Sequence, residues 1–108
     1  MASRAVLAAR SLDIAMKAQT AFEWDEQKRA QNLGKHKLDF IICVELFDGR
    51  GMVTSTSSKN GEIRFLSVTA WNEIHVTAIW TWRGDVRRII SLRRARDVEK
   101  RMYEDIFG

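Results

Sequence analysis

The sequence predicts a single α+β domain, in which two N-terminal helices precede a four-stranded antiparallel sheet and a C-terminal helix closes the chain. Apolar residues recur at helical spacing over residues 25–48 and again over 94–106. Between them, over residues 51–91, apolar and polar side chains alternate with the period of a strand. A chain of 108 residues has room for one hydrophobic core, so we expect the helices to pack on one face of the sheet.

The first helix is predicted to begin after Asp25, because an aspartate side chain accepts hydrogen bonds from the free N–H groups of a helix start. A short extended segment, residues 22–24, precedes it. Within this helix Ala30 and Leu33 are expected to face the core, and Gly34 is expected to end it.

The second helix is predicted to begin at Asp39 and to end at residues 48–49. Four of its apolar residues recur at helical spacing, and these are Phe40, Ile41, Val44 and Phe47. Further apolar residues fill its other faces, so we expect the helix to be largely buried. One of them, Cys43, is interpreted as a small buried apolar residue.

Residues 51–57 are rich in Val, Thr and Ser and are predicted as an edge strand. Asn60-Gly61 predicts a tight hairpin to a second strand, in which Ile63 and Phe65 are the apolar positions. The clean alternation over residues 74–82 predicts a third strand, whose apolar side chains are expected to pack in the core.

A turn at residues 83–85 leads into a fourth strand, residues 86–91, where Arg88 shares a face with Val86 and Ile90. An arginine on an apolar face requires a carboxylate or a phosphate as its partner. The last helix is predicted to run from about residue 94 to 106 and to bury one apolar stripe. The stripe consists of Ala95, Val98, Met102 and Ile106.

Residues 1–21 are alanine-rich with spaced arginines and are interpreted as an extension that precedes the domain at 22–108. Arg4 and Arg10 interrupt the continuous apolar run that a secretory signal needs. An organellar transit peptide is the alternative, although Asp13 argues against it.

The positive charge is concentrated near the C-terminus. The chain has a net charge of +4, yet residues 83–101 alone carry eight basic and three acidic side chains, which gives +5. No apolar run is long enough to span a membrane, and a single cysteine excludes an internal disulfide framework and favours a cytoplasmic setting. The histidines, His36 and His75, stand apart, so the sequence predicts neither a metal site nor a cofactor.

Clustered arginines are typical of proteins that bind nucleic acid, because a guanidinium matches two phosphate oxygens and keeps its charge. Exposed tryptophans add surfaces on which bases can stack. A plainer interpretation holds for some of these residues. Trp80 is expected in the core, and the basic residues of the last helix form a solvated face; these are Arg96, Lys100 and Arg101.

Several strings of the sequence, in order over residues 22–104, resemble the BrnT family of toxins from type II toxin–antitoxin systems. The matching strings are Phe22-Glu23-Trp24-Asp25, Lys28, Asn32, Lys35-His36-Lys37-Leu38-Asp39-Phe40, Glu45-Leu46-Phe47, Arg64-Phe65, Arg83-Gly84-Asp85, Arg88 through Ala95, Glu99 and Tyr103. One departure is Lys37, which stands where the family usually has glycine, so the turn there is expected to differ.

The resemblance implies a RelE-like fold and a ribonuclease that inhibits translation and growth. It also implies an antitoxin of the BrnA type, which would neutralise this protein in a hetero-oligomer. In that family the ribbon-helix-helix part of the antitoxin binds the operator DNA, so this chain would contact DNA only through its partner.

RNA cleavage without a metal requires a base for the 2′-OH, a cation for the phosphorane and an acid for the leaving oxygen. We predict that Arg83, Arg88 and Arg93 clamp the phosphate and that Arg64 reaches it from the neighbouring strand. Lys28, which matches the family, would add charge from the first helix. The base is predicted to be either Glu45 or His36. Further RNA contacts are assigned to Arg87, Arg94 and Trp82.

Two alternatives remain open at this point. Arginine-rich faces serve equally well in nucleic-acid-binding modules that catalyse nothing. The same face is also suited to dock an acidic segment of an antitoxin, a role that is compatible with RNA cleavage.

Overall fold

The computed structural model describes residues 20–108 as a five-stranded mixed sheet with three helices. Residues 1–19, most of the predicted extension, lie outside the described residues. In chain order the elements are β1 (Phe22–Glu23), α1 (Glu26–His36), α2 (Ile42–Leu46), β2 (Val53–Lys59), β3 (Glu62–Trp71), β4 (Ile74–Arg83), β5 (Val86–Arg94) and α3 (Asp97–Phe107). No helix within residues 20–108 is long and apolar enough to cross a membrane.

The strand order is β1-β5-β4-β3-β2, in which β2 to β5 form an antiparallel meander and β1 pairs in parallel with β5. The prediction of an α+β fold is therefore confirmed, but that of a purely four-stranded antiparallel sheet is wrong. The additional strand is only two residues long, and Arg87 donates its backbone N–H to the carbonyl of Ala21 at 2.9 Å beside it. A pairing this short leaves no alternating pattern in the sequence, so only the tertiary structure reveals it.

Two-residue turns join the central strands. At the predicted hairpin, Asn60 and Gly61 both have positive φ, 53° and 78°, and Lys59 pairs with Glu62 across the turn. Such turns match the right-handed twist of the flanking strands. Asn72 and Glu73, with φ of 53° and 68°, form a turn of the same kind between β3 and β4. The hairpin prediction is confirmed.

The core lies between one face of the sheet and the stretch that consists of α2 and the segment before it. Its buried members are Leu38, Phe40, Cys43, Leu46, Val76, Ala78, Trp80, Ile89 and Leu92. The prediction that the second helix is largely buried is wrong, because Ile41 and Val44 are 50% and 47% exposed. The helix has only five residues, so it covers the sheet with one side and leaves the other to solvent.

A bulge in β5 decides which of its residues face this core. Ile79 pairs with Ser91 and the next residue, Trp80, pairs with Ile89, so Ile90 has no partner in the ladder. Ile89 and Leu92 are buried as a result. The expectation that Arg88 lies on the apolar face is therefore wrong: the arginine on the core face is its neighbour, Arg87.

The inward side of α1 is polar. Asn32 is buried, whereas Leu33 is 43% exposed and Ala30 is exposed too, so the prediction that these two face the core is wrong. The Asn32 amide donates to the carbonyl of Leu92 at 2.7 Å and accepts from its N–H at 3.2 Å. The side chain thus takes the place of a neighbouring strand beside β5, a role that hydrophobic periodicity cannot indicate.

The first helix also ends later than predicted. It continues through Gly34 to His36 and ends at Lys37, whose φ of 60° is left-handed. The Lys37 N–H donates to the carbonyl of Leu33 at 2.9 Å, which satisfies one of the free carbonyls at the helix end.

Helix α3 lies against the opposite face of the sheet from α2, so the expectation that all helices pack on one face is wrong. It contacts His75 and Thr77 of β4 through Tyr103 and Glu99. The predicted apolar stripe is exposed, since Val98 and Ile106 are 57% and 64% accessible. This face of the sheet presents polar side chains to the helix, and they pair with a glutamate of α3 rather than with its apolar residues.

Candidate active site

One cleft, of about 180 Å³, is lined by four of the cationic side chains that the sequence predicts for the site. The cleft residues are Asp25, Lys28, Glu62, Arg64, Arg83, Arg88, Ile89 and Ile90. We refer to it as the arginine cleft. It combines four cations with two carboxylates, which makes it electropositive.

The sheet positions three of these cations. Arg64 lies on β3 and Arg88 on β5, while Arg83 is the last residue of β4, the strand between them. Arg88 pairs with Thr81 of β4, so it lies across the sheet from the end of β3. Strands 4.7–4.9 Å apart bring side chains on one face into a common row. Lys28 completes the cleft from the first turn of α1, which Asp25 holds in place by accepting hydrogen bonds from the N–H groups of Gln27 and Lys28.

Two carboxylates that the sequence prediction did not include pair with the three arginines. Glu62 lies between two of them, with Oε1 at 3.4 Å from Nε of Arg64 and Oε2 at 3.1 Å from Nη2 of Arg83. Glu23 accepts from Nη1 of Arg88 at 2.8 Å. The spacing of Glu62 and Arg64 on a strand places both on one face, and this was a signal in the sequence that could have identified Glu62. The pairing with Glu23 depends on β1 and had no such signal.

His36 lies next to the arginine cleft and not in it. It lines a neighbouring cleft of about 200 Å³ that shares Lys28 and Ile90 with the first. Partial desolvation, together with the positive charges of Lys35 and Arg93, lowers the pKa of His36 below its usual value of 6.5. The imidazole is therefore mainly neutral at pH 7, the form that can accept a proton.

Two predicted catalytic residues are not brought to the arginine cleft. Arg93 forms a bidentate ion pair with Glu99 at 2.8 and 2.9 Å, and its side chain is only 12% exposed. Glu45 lies on α2, over the other face of the sheet, where its carboxylate is 3.8 Å from Arg50. Neither residue lines the cleft or its neighbour.

Arg87, predicted to bind RNA, is enclosed by aromatic rings on the core face. Its guanidinium carbon lies 4.0–5.5 Å from the centroids of Phe47, Trp80, Trp82 and Phe22. Cation–π attraction stabilises a charge in such surroundings. Burial lowers the pKa of Arg87 to about 10, so the side chain still carries its charge at neutral pH. Its buried Nε has no hydrogen-bond partner in the structure as described over residues 20–108.

The other two predicted RNA contacts lie on the surface. Arg94 is exposed at the end of β5, and Trp82 is 42% exposed at the end of β4. Trp82 lines a shallow groove with Ile63 and Phe65, and this groove shares Glu62 and Arg83 with the arginine cleft. An exposed indole therefore lies at the same end of the sheet as the cluster of cations.

The remaining side chains with reactive groups have structural surroundings. Cys43 is completely buried in the core, and burial raises the pKa of its thiol to about 12. His75 packs edge-on against Tyr103 with ring centroids 5.1 Å apart. Both agree with the interpretation that these residues contribute packing rather than chemistry.

A family model for the ribonuclease toxin BrnT of type II toxin–antitoxin systems matches residues 24–99. A comparison with curated proteins found no match. The matched range covers most of the chain and contains every residue that lines the arginine cleft. The resemblance seen in the sequence is confirmed, and the chain belongs to the BrnT family of ribonuclease toxins of type II toxin–antitoxin systems.

Proposed function

We propose that this protein is a metal-independent endoribonuclease whose arginine cleft binds the scissile phosphate of RNA. The observation that carries the proposal is the convergence of Lys28, Arg64, Arg83 and Arg88 on one cleft of about 180 Å³. The sequence predicted each of these residues separately for phosphate binding, and they come from four different elements.

The chemistry of the cleft fits phosphoryl transfer. When a 2′ oxygen attacks the neighbouring phosphorus, negative charge accumulates on the phosphate oxygens, and cations fixed around them stabilise that transition state. Guanidinium groups bind two such oxygens at once and keep their charge at physiological pH. Four cations of the chain thus supply positive charge of the kind that a metal ion provides in other nucleases.

A base must also remove the proton of the 2′-OH. Of the two bases predicted from the sequence, Glu45 lies over the other face of the sheet, whereas His36 lies in the neighbouring cleft in a mainly neutral form. The Trp82 indole, beside Arg83, offers a surface for a base of the bound strand. These positions support the RelE-like ribonuclease site that we propose.

In the cell the expected consequence is cleavage of RNA in the cytoplasm, inhibition of translation and arrest of growth. Membership in a type II toxin family implies an antitoxin partner. We propose a BrnA-like antitoxin, which would neutralise the toxin in a hetero-oligomer and carry the ribbon-helix-helix part that binds operator DNA.

The test is induced expression with and without co-expression of an antitoxin gene, followed by growth curves and gels of total RNA. Wild-type protein should arrest growth and degrade RNA, and the antitoxin should prevent both. Arg83→Ala and Arg88→Ala should each lower the cleavage rate about tenfold to a thousandfold. Arg101→Ala is the matched control, because it removes an arginine from an exposed helix face outside the cleft.

Purified protein should cleave RNA equally well in the presence of EDTA. If both cleft variants cleave RNA and arrest growth as the wild type does, the cleft is not the active site. If the purified protein binds nucleic acid in a salt-sensitive manner and cleaves no RNA, it is the non-catalytic binding module of the alternative hypothesis.

A further inference from the structure

Glu62 is the only described carboxylate that lies between arginines of the cleft and lines the cleft itself. It is the first residue of β3, and each of its carboxylate oxygens contacts a different arginine, Arg64 at 3.4 Å and Arg83 at 3.1 Å. Its side chain is 31% exposed, so the carboxylate is open to a ligand in the cleft. A phosphate held by these two arginines would therefore lie directly beside the carboxylate.

The other acidic groups near the cleft are engaged elsewhere. Oδ1 of Asp25 accepts hydrogen bonds from the N–H groups of Gln27 and Lys28 at 2.8 and 3.1 Å, which commits it to the helix start. Glu23 is bound to Arg88 at 2.8 Å and does not line the cleft. Glu62 is thus the carboxylate best placed to reach a substrate bound by the arginines.

We infer that Glu62 is the general base of the reaction, an inference that rests on the proposed ribonuclease function. Its carboxylate takes the proton of the 2′-OH, and the 2′ oxygen forms a bond to the adjacent phosphorus. The bond from phosphorus to the 5′ oxygen breaks, and that oxygen takes a proton from water in the open cleft. Protonated Glu62 then gives its proton to the hydroxide that remains, which restores the carboxylate and the water. The products are a 2′,3′-cyclic phosphate and a 5′-hydroxyl, so atoms and charge balance.

The arrangement of the arginines favours this role over that of a purely structural ion pair. Arg64 and Arg83 hold the two oxygens of the carboxylate at 3.4 and 3.1 Å, and they would also bind the phosphate that the 2′ oxygen attacks. The base, Glu62, is then in direct contact with Arg64 and Arg83, the two arginines that stabilise the transition state. The carboxylate, the 2′-OH and the phosphate are then held together in one complex, so they do not have to meet in solution before the reaction.

The experiment compares Glu62→Gln with Glu23→Gln in the full-length protein. Both variants remove a carboxylate that pairs with an arginine at the cleft, but only Glu62 lines the cleft. We would measure single-turnover cleavage of RNA, and affinity for a 2′-O-methyl RNA that cannot be cleaved. Thermal unfolding checks that each variant is folded.

Glu62→Gln is expected to slow cleavage about a hundredfold to ten-thousandfold, the usual contribution of a general base. Its affinity for the uncleavable RNA should be unchanged or higher, because a negative charge has left the cleft. Glu62→Asp keeps the base one methylene further back and should cleave at an intermediate rate. Glu23→Gln should stay within about tenfold of the wild type.

Three results would overturn the inference. Cleavage by Glu62→Gln within threefold of the wild type would exclude Glu62 as the base, and loss of cleavage in His36→Gln alone would assign that role to His36. A loss of RNA affinity as large as the loss of rate would mean that Glu62 only organises the arginines. These outcomes leave the ribonuclease function intact if Arg83→Ala still slows cleavage by about tenfold or more, whereas a wild-type protein that cleaves no RNA overturns both proposals.

Discussion

Arg93 and Glu99 form a bidentate ion pair in which the two terminal nitrogens of the arginine donate to the two carboxylate oxygens, at 2.8 and 2.9 Å. The carboxylate also accepts from the hydroxyl of Thr77 at 2.9 Å and from the backbone N–H of Arg96 at 2.8 Å. One glutamate thus links β4 and β5 to the start of α3. Arg93, predicted from the sequence as part of the phosphate clamp, pairs with Glu99 and does not line the arginine cleft.

This pair predicts a loss of stability in acid. The pKa of Glu99 is lowered from 4.5 to about 2. The hydrogen bond from Arg93 is the largest cause, and those from Arg96 and Thr77 add to it. A carboxylate whose pKa is lowered on folding adds stability above its unfolded pKa, and this is lost as the pH falls through about 4.5 towards 2. The contribution at neutral pH should be about 2–3 kcal/mol in the free energy of unfolding.

Chemical denaturation between pH 7 and pH 2.5 measures this contribution. Glu99→Gln should be less stable at pH 7 and should lose less stability than the wild type on acidification. Glu104→Gln, on an exposed position of the same helix, is the control and should follow the wild-type curve. Parallel pH curves for wild type and Glu99→Gln would contradict the prediction.

Arg87 is predicted to stabilise the fold rather than to bind RNA. Arg87→Ala would leave a space between four aromatic rings and should cost about 2–4 kcal/mol in the free energy of unfolding. Arg87→Met keeps most of the volume and removes the unpaired Nε, so it should cost less than about 1 kcal/mol. Arg94→Ala, at an exposed position, should change stability by less than about 0.5 kcal/mol.

Urea denaturation and RNA-binding assays separate the two roles of Arg87. If Arg87 is structural, Arg87→Met should bind RNA with an affinity within about twofold of the wild type. A twofold difference in affinity corresponds to about 0.4 kcal/mol in the free energy of binding. A tenfold loss of affinity in a stably folded Arg87→Met would instead support the sequence-based assignment of this residue to RNA.

Asn32 is predicted to be more important for stability than its apolar neighbour Leu33. Its amide donates to the carbonyls of Leu38 at 2.9 Å and Leu92 at 2.7 Å, and accepts from the Leu92 N–H at 3.2 Å. Asn32→Ala leaves these backbone groups without partners and should cost about 2–4 kcal/mol. Leu33→Ala should cost less than about 1 kcal/mol because Leu33 is 43% exposed. The opposite order in denaturation experiments would restore the sequence prediction.

Lys37 is predicted to be a site where glycine stabilises the protein. Its φ of 60° is unfavourable for a residue with a Cβ, and glycine adopts it freely. Lys37→Gly should raise the free energy of unfolding by about 0.5–1 kcal/mol, after allowance for the greater freedom of glycine in the unfolded chain. Lys35→Gly, inside the helix, is the matched control and should lower it by about 1 kcal/mol. Destabilisation by both substitutions, measured by thermal unfolding, would contradict this reading of the turn.

Local signals in the sequence were sufficient for most elements. Asn60-Gly61 predicted its hairpin because a tight turn of this kind needs residues that tolerate positive φ, which is a local requirement. The clean alternation of β4 predicted its strand and the burial of Trp80. Asp25 predicted the start of α1 because capping involves only the next few residues.

The arginines of the candidate site could also be predicted from local signals. Arg64, Arg83 and Arg88 lie on consecutive strands of a meander, so local alternation and order along the chain were enough to suggest that they meet. Glu62 was not predicted, although it lies two positions from Arg64 on the same face of the strand. Arg93 does not line the cleft because Glu99 of α3 holds its guanidinium, and this pairing depends on how α3 packs on the sheet.

What the sequence determined by itself was the α+β class, the hairpins and the cationic residues that line the arginine cleft, because these depend on backbone preferences and on neighbours along the chain. The tertiary structure decided which face of β5 is buried, which arginine is enclosed by aromatic rings and which carboxylate pairs with each guanidinium. A one-residue bulge at Ile90 and a two-residue strand at Phe22–Glu23 control these outcomes. The strand β1 pairs with residues of β5 more than 60 positions further along the chain, and such a pairing leaves no periodic trace in the sequence.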